Sequence, residues 1–177
     1  KFRRYIIQDY WYLMDYTKVF AVGVAKSKSV GVMKLFSKYI QAILDGEVNV
    51  HNGYMADFGI TQEELDHTPI AQDNRSYTSY MLSVAYRGGE AEVLTAIFSC
   101  AYSYEVIARQ IVAERPDAPD HPLYGRWVRG YITERYTGNN VILKNMLEQL
   151  TADYTEAQLR ELEEIFTACS RYEASFW

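Results

Sequence analysis

Residues 2–25 read FRRYIIQDYWYLMDYTKVFAVGVA, and large apolar and aromatic side chains recur in them at helical spacing. Positions three and four apart share one face of an α-helix. In this segment that face carries Tyr5, Asp9, Tyr12 and Tyr16. No strand-like alternation competes with the helical pattern anywhere in the chain. The opening segment therefore predicts a long helix and indicates an all-α protein.

The rest of the chain repeats this pattern between short breaks. We expect further helices over about residues 31–58, 75–86, 91–113, 121–136, 139–150 and 155–177, and a short one after the capping-box pattern Thr61-Gln62-Glu63-Glu64. Gly59 indicates a helix end, residues 114–122 with their prolines form the clearest loop, and Gly138-Asn139 predicts a turn. Short connections between helices are typical of a single α-helical bundle domain over residues 1–177.

Composition excludes several classes of protein. The net charge of the 177 residues is -5, and Lys and Arg are scattered, which disfavours nucleic-acid binding. No apolar run approaches the roughly 20 residues of a membrane span, and no signal-peptide pattern is present. Cys100 and Cys169 form no C-x-x-C motif, and two free thiols fit a reducing cytosol. We therefore expect a cytoplasmic protein.

Aromatic content is the unusual feature of the composition. The chain contains 16 Tyr, 7 Phe and 3 Trp. Tyrosine joins an apolar body to a polar tip, so such residues can line a pocket that stacks a flat ring and hydrogen-bonds its edges. The alternative is a Tyr-rich core whose hydroxyls reach solvent, and composition alone favours it.

Two carboxylates lie among aromatic neighbours. Asp9 has large side chains on nearly all sides, and a buried carboxylate needs hydrogen-bond donors. It either accepts from the exocyclic amine of a ligand or is satisfied by a tyrosine or a backbone amide. Glu173 precedes Phe176 by three residues in an aromatic-rich segment, so it is a candidate for a raised pKa and general acid catalysis. The alternative is an exposed Glu on a Glu-rich helix.

Cys100 and the pair Glu47 and His51 complete the candidates. A helical cysteine is most often a small buried hydrophobe, and a nucleophilic role for Cys100 requires a thiolate or a nearby base. The same structural interpretation applies more strongly to Cys169. Glu47 and His51 are four residues apart and could form half of a metal site. A di-iron bundle requires a Glu-x-x-His on each of two helices, and the chain lacks that pair of motifs, so a metal-free salt bridge or hydrogen bond is favoured.

Taken in order, these residues resemble the TenA/thiaminase II family, whose fold is a haem-oxygenase-like α-bundle. The resemblance covers nearly the whole chain. The matching fragments are Phe2-Arg3-Arg4-Tyr5, Gln8-Asp9, Tyr12-Leu13, Leu44-Asp45-Gly46-Glu47, His51, Phe58-Gly59-Ile60, Tyr77-Thr78-Ser79-Tyr80, Cys100, Tyr104-Glu105, His121-Pro122, Trp127, Tyr131, Tyr172-Glu173 and Phe176-Trp177. Family members often have Pro before this cysteine and Trp two residues after it, where this chain has Ser99 and Tyr102.

The resemblance implies a cofactor-free and metal-free hydrolase of the cysteine-containing branch. Cys100 is expected to attack the substrate ring, Glu173 to protonate it, and Asp9 to accept hydrogen bonds from its amino edge. The expected aromatic box consists of Tyr12, Tyr77, Tyr104, Tyr131 and Phe176. The expected substrates are 4-amino-5-aminomethyl-2-methylpyrimidine and thiamin, in thiamin salvage.

The resemblance also implies a homotetramer, and it suggests that an N-terminal helix and a short C-terminal end lie outside this sequence. Two other functions stay open from the residues. One is a metal-dependent oxidase on the same scaffold, with Glu47 and His51 as its first ligands. The other is a non-enzymatic regulator or interaction protein.

Overall fold

Helix α1 matches its predicted range closely and is followed by the predicted break. The computed structural model describes residues 1–177, and it contains nine α-helices and no strand, which confirms the all-α class. The elements in chain order are α1 (Phe2–Lys26), α2 (Val30–Ala42), a π-helical turn (Ile43–Glu47), α3 (Val48–Asp57), α4 (Gln62–His67), α5 (Gln72–Arg87), α6 (Glu90–Glu114), a 3-10 turn (Ala118–Asp120), α7 (Gly125–Tyr131), α8 (Glu134–Leu150) and α9 (Glu156–Phe176).

The second predicted helix is interrupted by the π-helical turn. The backbone N–H of Val48 donates to the carbonyl of Ile43, five residues back, so one extra residue is inserted between α2 and α3. Such insertions are frequent at functional sites. The apolar pattern did not indicate it, because one inserted residue leaves the helical spacing on either side intact. The predicted helix end at Gly59 is confirmed, since Gly59 has a φ of 61°, which glycine adopts without strain.

The turn predicted at Gly138-Asn139 is wrong, because both residues lie inside α8. The helix begins earlier, where the Thr133 side chain accepts a hydrogen bond from the backbone N–H of Tyr136. Gly138 is exposed there, and a Cβ at this position would meet no atom within 4 Å. The predicted helix from 121 to 136 accordingly divides into α7 and the start of α8.

Replacing Gly138 by alanine is expected to raise the free energy of unfolding by about 0.5–1 kcal/mol, because alanine is the better helix former. Urea unfolding measures this change. The contrasting variant is Gly23→Ala in α1, whose Cβ would lie 2.9 Å from the ring of the fully buried Phe36 and should destabilise the protein. A loss of stability for Gly138→Ala would contradict the helical assignment of this residue.

The chain divides into two compact units, which are described separately. Unit 1 consists of Lys1–Val93 and Arg171–Trp177, so it contains α1 to α5, the first turn of α6 and the C-terminal end of α9. Unit 2 consists of Leu94–Ser170 and contains the rest of α6, α7, α8 and most of α9.

In unit 1, helix α1 packs against α2, α3 and α5. Phe20 of α1 meets Phe36 and Tyr39 of α2, with ring centroids 6.2 Å and 5.7 Å apart. Other fully buried side chains of this core include Ile6, Leu65 and Met81. Burial of these rings and aliphatic chains is the main stabilising term for the unit.

In unit 2, α6 and α9 carry most of the core. Phe98 of α6 contacts Phe166 of α9, with ring centroids 6.2 Å apart, and Cys169 is fully buried. Ser99, which replaces the proline common in the family, uses its hydroxyl to bind the Phe166 carbonyl at 3.2 Å and the Ser170 hydroxyl at 3.0 Å. Its polar side chain is thus satisfied although it is fully buried.

Helix α6 is long and apolar enough, by length and composition, to cross a membrane. This finding qualifies the expectation that the sequence contains no segment of that kind. Of its most apolar stretch, 56% is buried inside the protein. A core helix of a globular protein passes the same test, so this feature is weak evidence for a membrane span.

Candidate active site

Asp9 of α1 forms a buried ion pair with His51 of α3. Its Oδ2 lies 2.6 Å from Nε2 of His51, and the side chains are only 6% and 8% exposed. The contact with His51 uses Oδ2, so it does not engage the second oxygen of the carboxylate, Oδ1. This arrangement satisfies the expected need of a buried carboxylate for a donor, and it leaves one acceptor atom for another group.

The second ring nitrogen of His51 is held by the π-helical turn. Its Nδ1 lies 3.0 Å from the backbone carbonyl of Glu47. The expected hydrogen bond between Glu47 and His51 is therefore present, but it uses the main chain of Glu47. Asn49 binds the Asp45 carbonyl in the same way, at 2.6 Å, so two carbonyls of this turn accept side-chain hydrogen bonds.

The charge state of His51 follows from these partners. Burial lowers the pKa of the imidazole, but the Asp9 charge, the hydrogen bonds to Asp9 and Glu47 and the Glu47 charge together raise it above its usual value. Both ring nitrogens face oxygen acceptors, and only the doubly protonated ring donates to both. The raised pKa and the two acceptors together favour the charged imidazolium form of His51.

An aromatic cluster in unit 1 contains three of the predicted box residues. Tyr12 stacks on Tyr77 of α5 with ring centroids 5.2 Å apart, and it lies 5.8 Å from Phe176 of α9. Tyr16 and Tyr172 extend the stack at 5.3 Å from Tyr12 and 6.0 Å from Tyr77. We call these five residues the Tyr12 cluster. Because Asp9 precedes Tyr12 by three residues on α1, a carboxylate and a stacked ring share one helix face.

A buried glutamine positions α5 against α1. The side-chain amide of Gln8 donates to the carbonyl of Pro69 at 3.0 Å and accepts from the N–H of Ala71 at 2.7 Å. Asn74 in turn donates to the backbone carbonyl of Gln8 at 2.7 Å. These hydrogen bonds hold the segment before α5 against α1, and they therefore position Tyr77 beside Tyr12.

Glu173 lies in the last turns of α9, in the part of that helix that belongs to unit 1. The side chain is 4% exposed, so the alternative of a solvent-exposed Glu is wrong. Phe176 of the Tyr12 cluster lies three residues further along the same helix. A carboxyl group buried in this way is a candidate acid–base group.

Cys100 lies in the middle of α6, in unit 2, and is 6% exposed. Both cysteines are free thiols. The backbone around Cys100 is held by polar side chains: Ser103 donates to the Cys100 carbonyl at 2.9 Å, and Tyr136 and Asn140 donate to the Ala101 carbonyl at 3.0 Å and 3.1 Å. These bonds use carbonyls of α6 and restrain the turn that carries the thiol.

The two remaining box residues meet in unit 2. Tyr104, one turn after Cys100, lies 4.7 Å from Tyr131 of α7, and both contact Trp127. The predicted box is thus found as two groups: Tyr12, Tyr77 and Phe176 in unit 1, and Tyr104 and Tyr131 in unit 2. That the two groups, Cys100, Asp9 and Glu173 surround one heterocycle stays a prediction.

No pattern in the sequence indicates that His51 is the partner of Asp9. The two residues are 42 positions apart, and no local spacing relates them.

No group of three or more His, Cys, Asp or Glu side chains in the chain could hold a metal ion. Both nitrogens of His51 already bind Asp9 and Glu47, so the geometry disfavours the alternative in which Glu47 and His51 are metal ligands.

Comparison with known proteins finds relatives that match the chain over its full length. The chain is 42% identical to an aminopyrimidine aminohydrolase of Helicobacter pylori over 177 residues, covering 100% of this chain and 81% of the relative. It is 36% identical to an aminopyrimidine aminohydrolase of Halalkalibacterium halodurans, covering 100% of this chain and 79% of the relative.

Solved structures with the same fold extend the comparison. A TenA family transcription regulator from Silicibacter sp. superposes with a TM-score of 0.89 at 26% identity, over 99% of this chain and 79% of the other. A TenA homologue from P. horikoshii superposes with a TM-score of 0.87 at 26% identity, over 99% and 80%. The model of the TENA/THI-4/PQQC family matches residues 1–177. The chain therefore belongs to the TENA/THI-4/PQQC family, and its fold is the haem-oxygenase-like helical fold expected from the resemblance.

Proposed function

We propose that this protein is an aminopyrimidine aminohydrolase of the thiaminase II type. It would convert 4-amino-5-aminomethyl-2-methylpyrimidine and water to 4-amino-5-hydroxymethyl-2-methylpyrimidine and ammonia. It would also, or alternatively, convert thiamin and water to hydroxymethylpyrimidine and the thiazole alcohol, in thiamin salvage. The observation that carries the proposal is the buried Asp9 carboxylate on the helix face of the stacked Tyr12, in a chain 42% identical to an aminopyrimidine aminohydrolase.

Recognition would rest on Asp9 and on the aromatic side chains. The Oδ1 atom of an ionised Asp9 is an acceptor only, so it favours a partner that presents N–H groups, such as the 4-amino edge of the pyrimidine. A flat ring gains from stacking on Tyr or Phe. A site built to pair an amino edge rejects analogues that lack it, because its own buried polar atom is then unpaired.

The reaction would use Cys100 as nucleophile and Glu173 as acid. Glu173 protonates N1 of the pyrimidine, and the thiolate of Cys100 forms a bond to the adjacent C6. Electrons of this adduct expel the group on the C5 methylene, which leaves as ammonia after taking a proton, or as the thiazole of thiamin. Water then adds to the exposed methylene and loses one proton. This proton balances the one that ammonia takes, and it is released to solvent when thiazole is the leaving group. A proton returns from N1 to Glu173, and the C6–sulfur bond breaks to restore the ring and the Cys100 thiolate. Covalent catalysis of this kind splits one difficult substitution into easier steps.

We propose four broader properties of the protein. The family model spans residues 1–177, which supports one functional domain. The resemblance to the family supports a homotetramer that needs no cofactor. The two free thiols, Cys100 and Cys169, support a cytoplasmic location.

A product assay in labelled water tests the proposal. The purified protein is incubated with 4-amino-5-aminomethyl-2-methylpyrimidine or with thiamin in H₂¹⁸O, and products are identified by mass spectrometry. We expect one ¹⁸O atom in the hydroxymethylpyrimidine and one ammonia or thiazole released per turnover. The ratio of kcat/KM values for the two compounds identifies the preferred substrate. Failure to convert either compound would overturn the proposal and favour the regulator.

A further inference from the structure

We propose that His51 is a positioning residue that orients Asp9, so that the second carboxylate oxygen, Oδ1, is presented to the amino edge of the substrate. The inference rests on the function proposed above and deepens it, because it gives His51 the role of fixing the orientation of the Asp9 carboxylate. Three observations carry it: the location of the pair, the fastening of His51, and the chemistry of its two partners.

The pair is buried and lies within unit 1. Asp9 comes from α1 and His51 from α3, and the carboxylate and imidazole are 2.6 Å apart with less than one tenth of either side chain exposed. A buried charge that loses its partner is strongly destabilised, so each group holds the other in place. An unpaired Asp9 side chain would be able to rotate, and it would then no longer be a fixed acceptor.

A second hydrogen bond holds the other side of the His51 imidazole. Its Nδ1 donates to the carbonyl of Glu47 at 3.0 Å, at the junction between the π-helical turn and α3, and its ring lies edge-on to Tyr54 with centroids 6.5 Å apart. The direction of Nε2 is therefore set by the backbone of the turn and not by Asp9 alone. A fixed donor on Oδ2 fixes the plane of the carboxylate, and with it the direction of Oδ1.

The groups that raise the pKa of His51 are Asp9 from α1 and Glu47 from the π-helical turn. The ring of Tyr54, from α3 itself, also faces the imidazole. Deprotonation would turn a nitrogen lone pair toward an oxygen of Asp9 or Glu47, so it breaks one of the two hydrogen bonds. Because the charged imidazole holds Asp9, binding of the ligand should weaken as pH rises through the raised pKa of His51. At lower pH His51 stays protonated, so its titration should not change the affinity.

Calorimetry with 4-amino-5-hydroxymethyl-2-methylpyrimidine tests the inference, since this product carries no aliphatic amine that titrates. The variants are His51→Gln, which keeps a neutral donor, and His51→Phe, which removes the donor but keeps a flat ring. We expect His51→Phe to raise Kd by about tenfold, as for loss of a charge-assisted hydrogen bond. His51→Gln should recover much of this loss at neutral pH, and its affinity should no longer fall as pH rises.

A double-mutant cycle separates positioning from a structural role. If His51 acts through Asp9, His51→Gln should change Kd in the native background and have little effect in the Asp9→Asn background. The matched control is His67→Gln: His67 binds the Glu63 carbonyl four residues back, as His51 binds Glu47, but it is exposed and is in no ion pair. This control should leave Kd and its pH profile unchanged.

The outcomes separate the inference from the proposed function. A native protein that binds no aminopyrimidine would overturn the proposed function and this inference with it. A native protein that binds, with a folded His51→Phe variant of equal Kd, would overturn the inference alone. If His51→Phe fails to fold, the His51→Gln variant decides the question. The positioning role would be contradicted if the ligand affinity of this variant still falls as pH rises. It would also be contradicted if the substitution changes Kd equally in the native and the Asp9→Asn backgrounds.

Discussion

Serine in place of Cys100 should leave the helical fold intact and abolish most turnover. The hydroxyl is a far weaker nucleophile than a thiolate, and the proposed adduct at C6 of the ring cannot form without the Cys100 thiolate. We expect kcat/KM to fall by at least about a thousandfold, which corresponds to about 4 kcal/mol of lost transition-state stabilisation. Steady-state kinetics with the product assay measures this loss, and circular dichroism checks the fold.

The matched control for this variant is Cys169→Ser. Cys169 is the only other cysteine, it is a free thiol, and it is fully buried in α9. Burying a hydroxyl there should cost stability, as at Cys100, but it should leave kcat/KM near that of the native protein. Equal kinetics for Cys100→Ser and the native protein would rule out the nucleophile assignment.

Asparagine in place of Asp9 should weaken binding of the aminopyrimidine more than it weakens folding. The amide keeps the size of the carboxylate, and its oxygen can still accept from His51. Its NH₂ group then replaces Oδ1, so a donor faces the donor edge of the ligand. We expect the loss of binding free energy to be about 2–3 kcal/mol, or about a hundredfold in Kd. Calorimetry measures Kd, and thermal unfolding measures the cost to the fold.

Asp15→Asn is the control for Asp9→Asn. Asp15 is on the same helix, but it pairs with Lys18 at 2.6 Å and its side chain is 28% exposed. An ion pair of this kind contributes little, so neither Kd nor stability should change much. Equal ligand affinity for Asp9→Asn and the native protein would contradict the recognition role of Asp9.

Much of the local structure was predictable from short-range patterns. The ranges of α1 and α6 follow from the spacing of apolar side chains, and the break after α1 matches Ser29, whose side chain caps α2. The turn predicted at Gly138 failed because glycine tolerates a helix interior at a modest cost when a cap at Thr133 starts the helix. The π-helical turn was missed because apolar periodicity is insensitive to one inserted residue.

For the candidate site, the sequence identified residue types and the structure supplied partners. The aromatic neighbours of Asp9 favoured its burial, whereas those of Glu173 left an exposed side chain open as the alternative. The resemblance to a family grouped Tyr12 and Tyr77 in one aromatic box, and the structure shows that they stack on each other. The bond between Asp9 and His51 was not foreseeable, since the local spacing of His51 relates it only to Glu47, four residues away.

By itself, the sequence determined the helices and the all-α class, because these depend on side chains three and four positions apart along one segment. Through its family, it also indicated the chemistry that Cys100, Asp9 and Glu173 could perform. Only the tertiary structure decided which carboxylate oxygen of Asp9 is paired with His51. That choice depends on how α3 packs against α1, and packing between segments 42 residues apart leaves no periodic trace in the sequence.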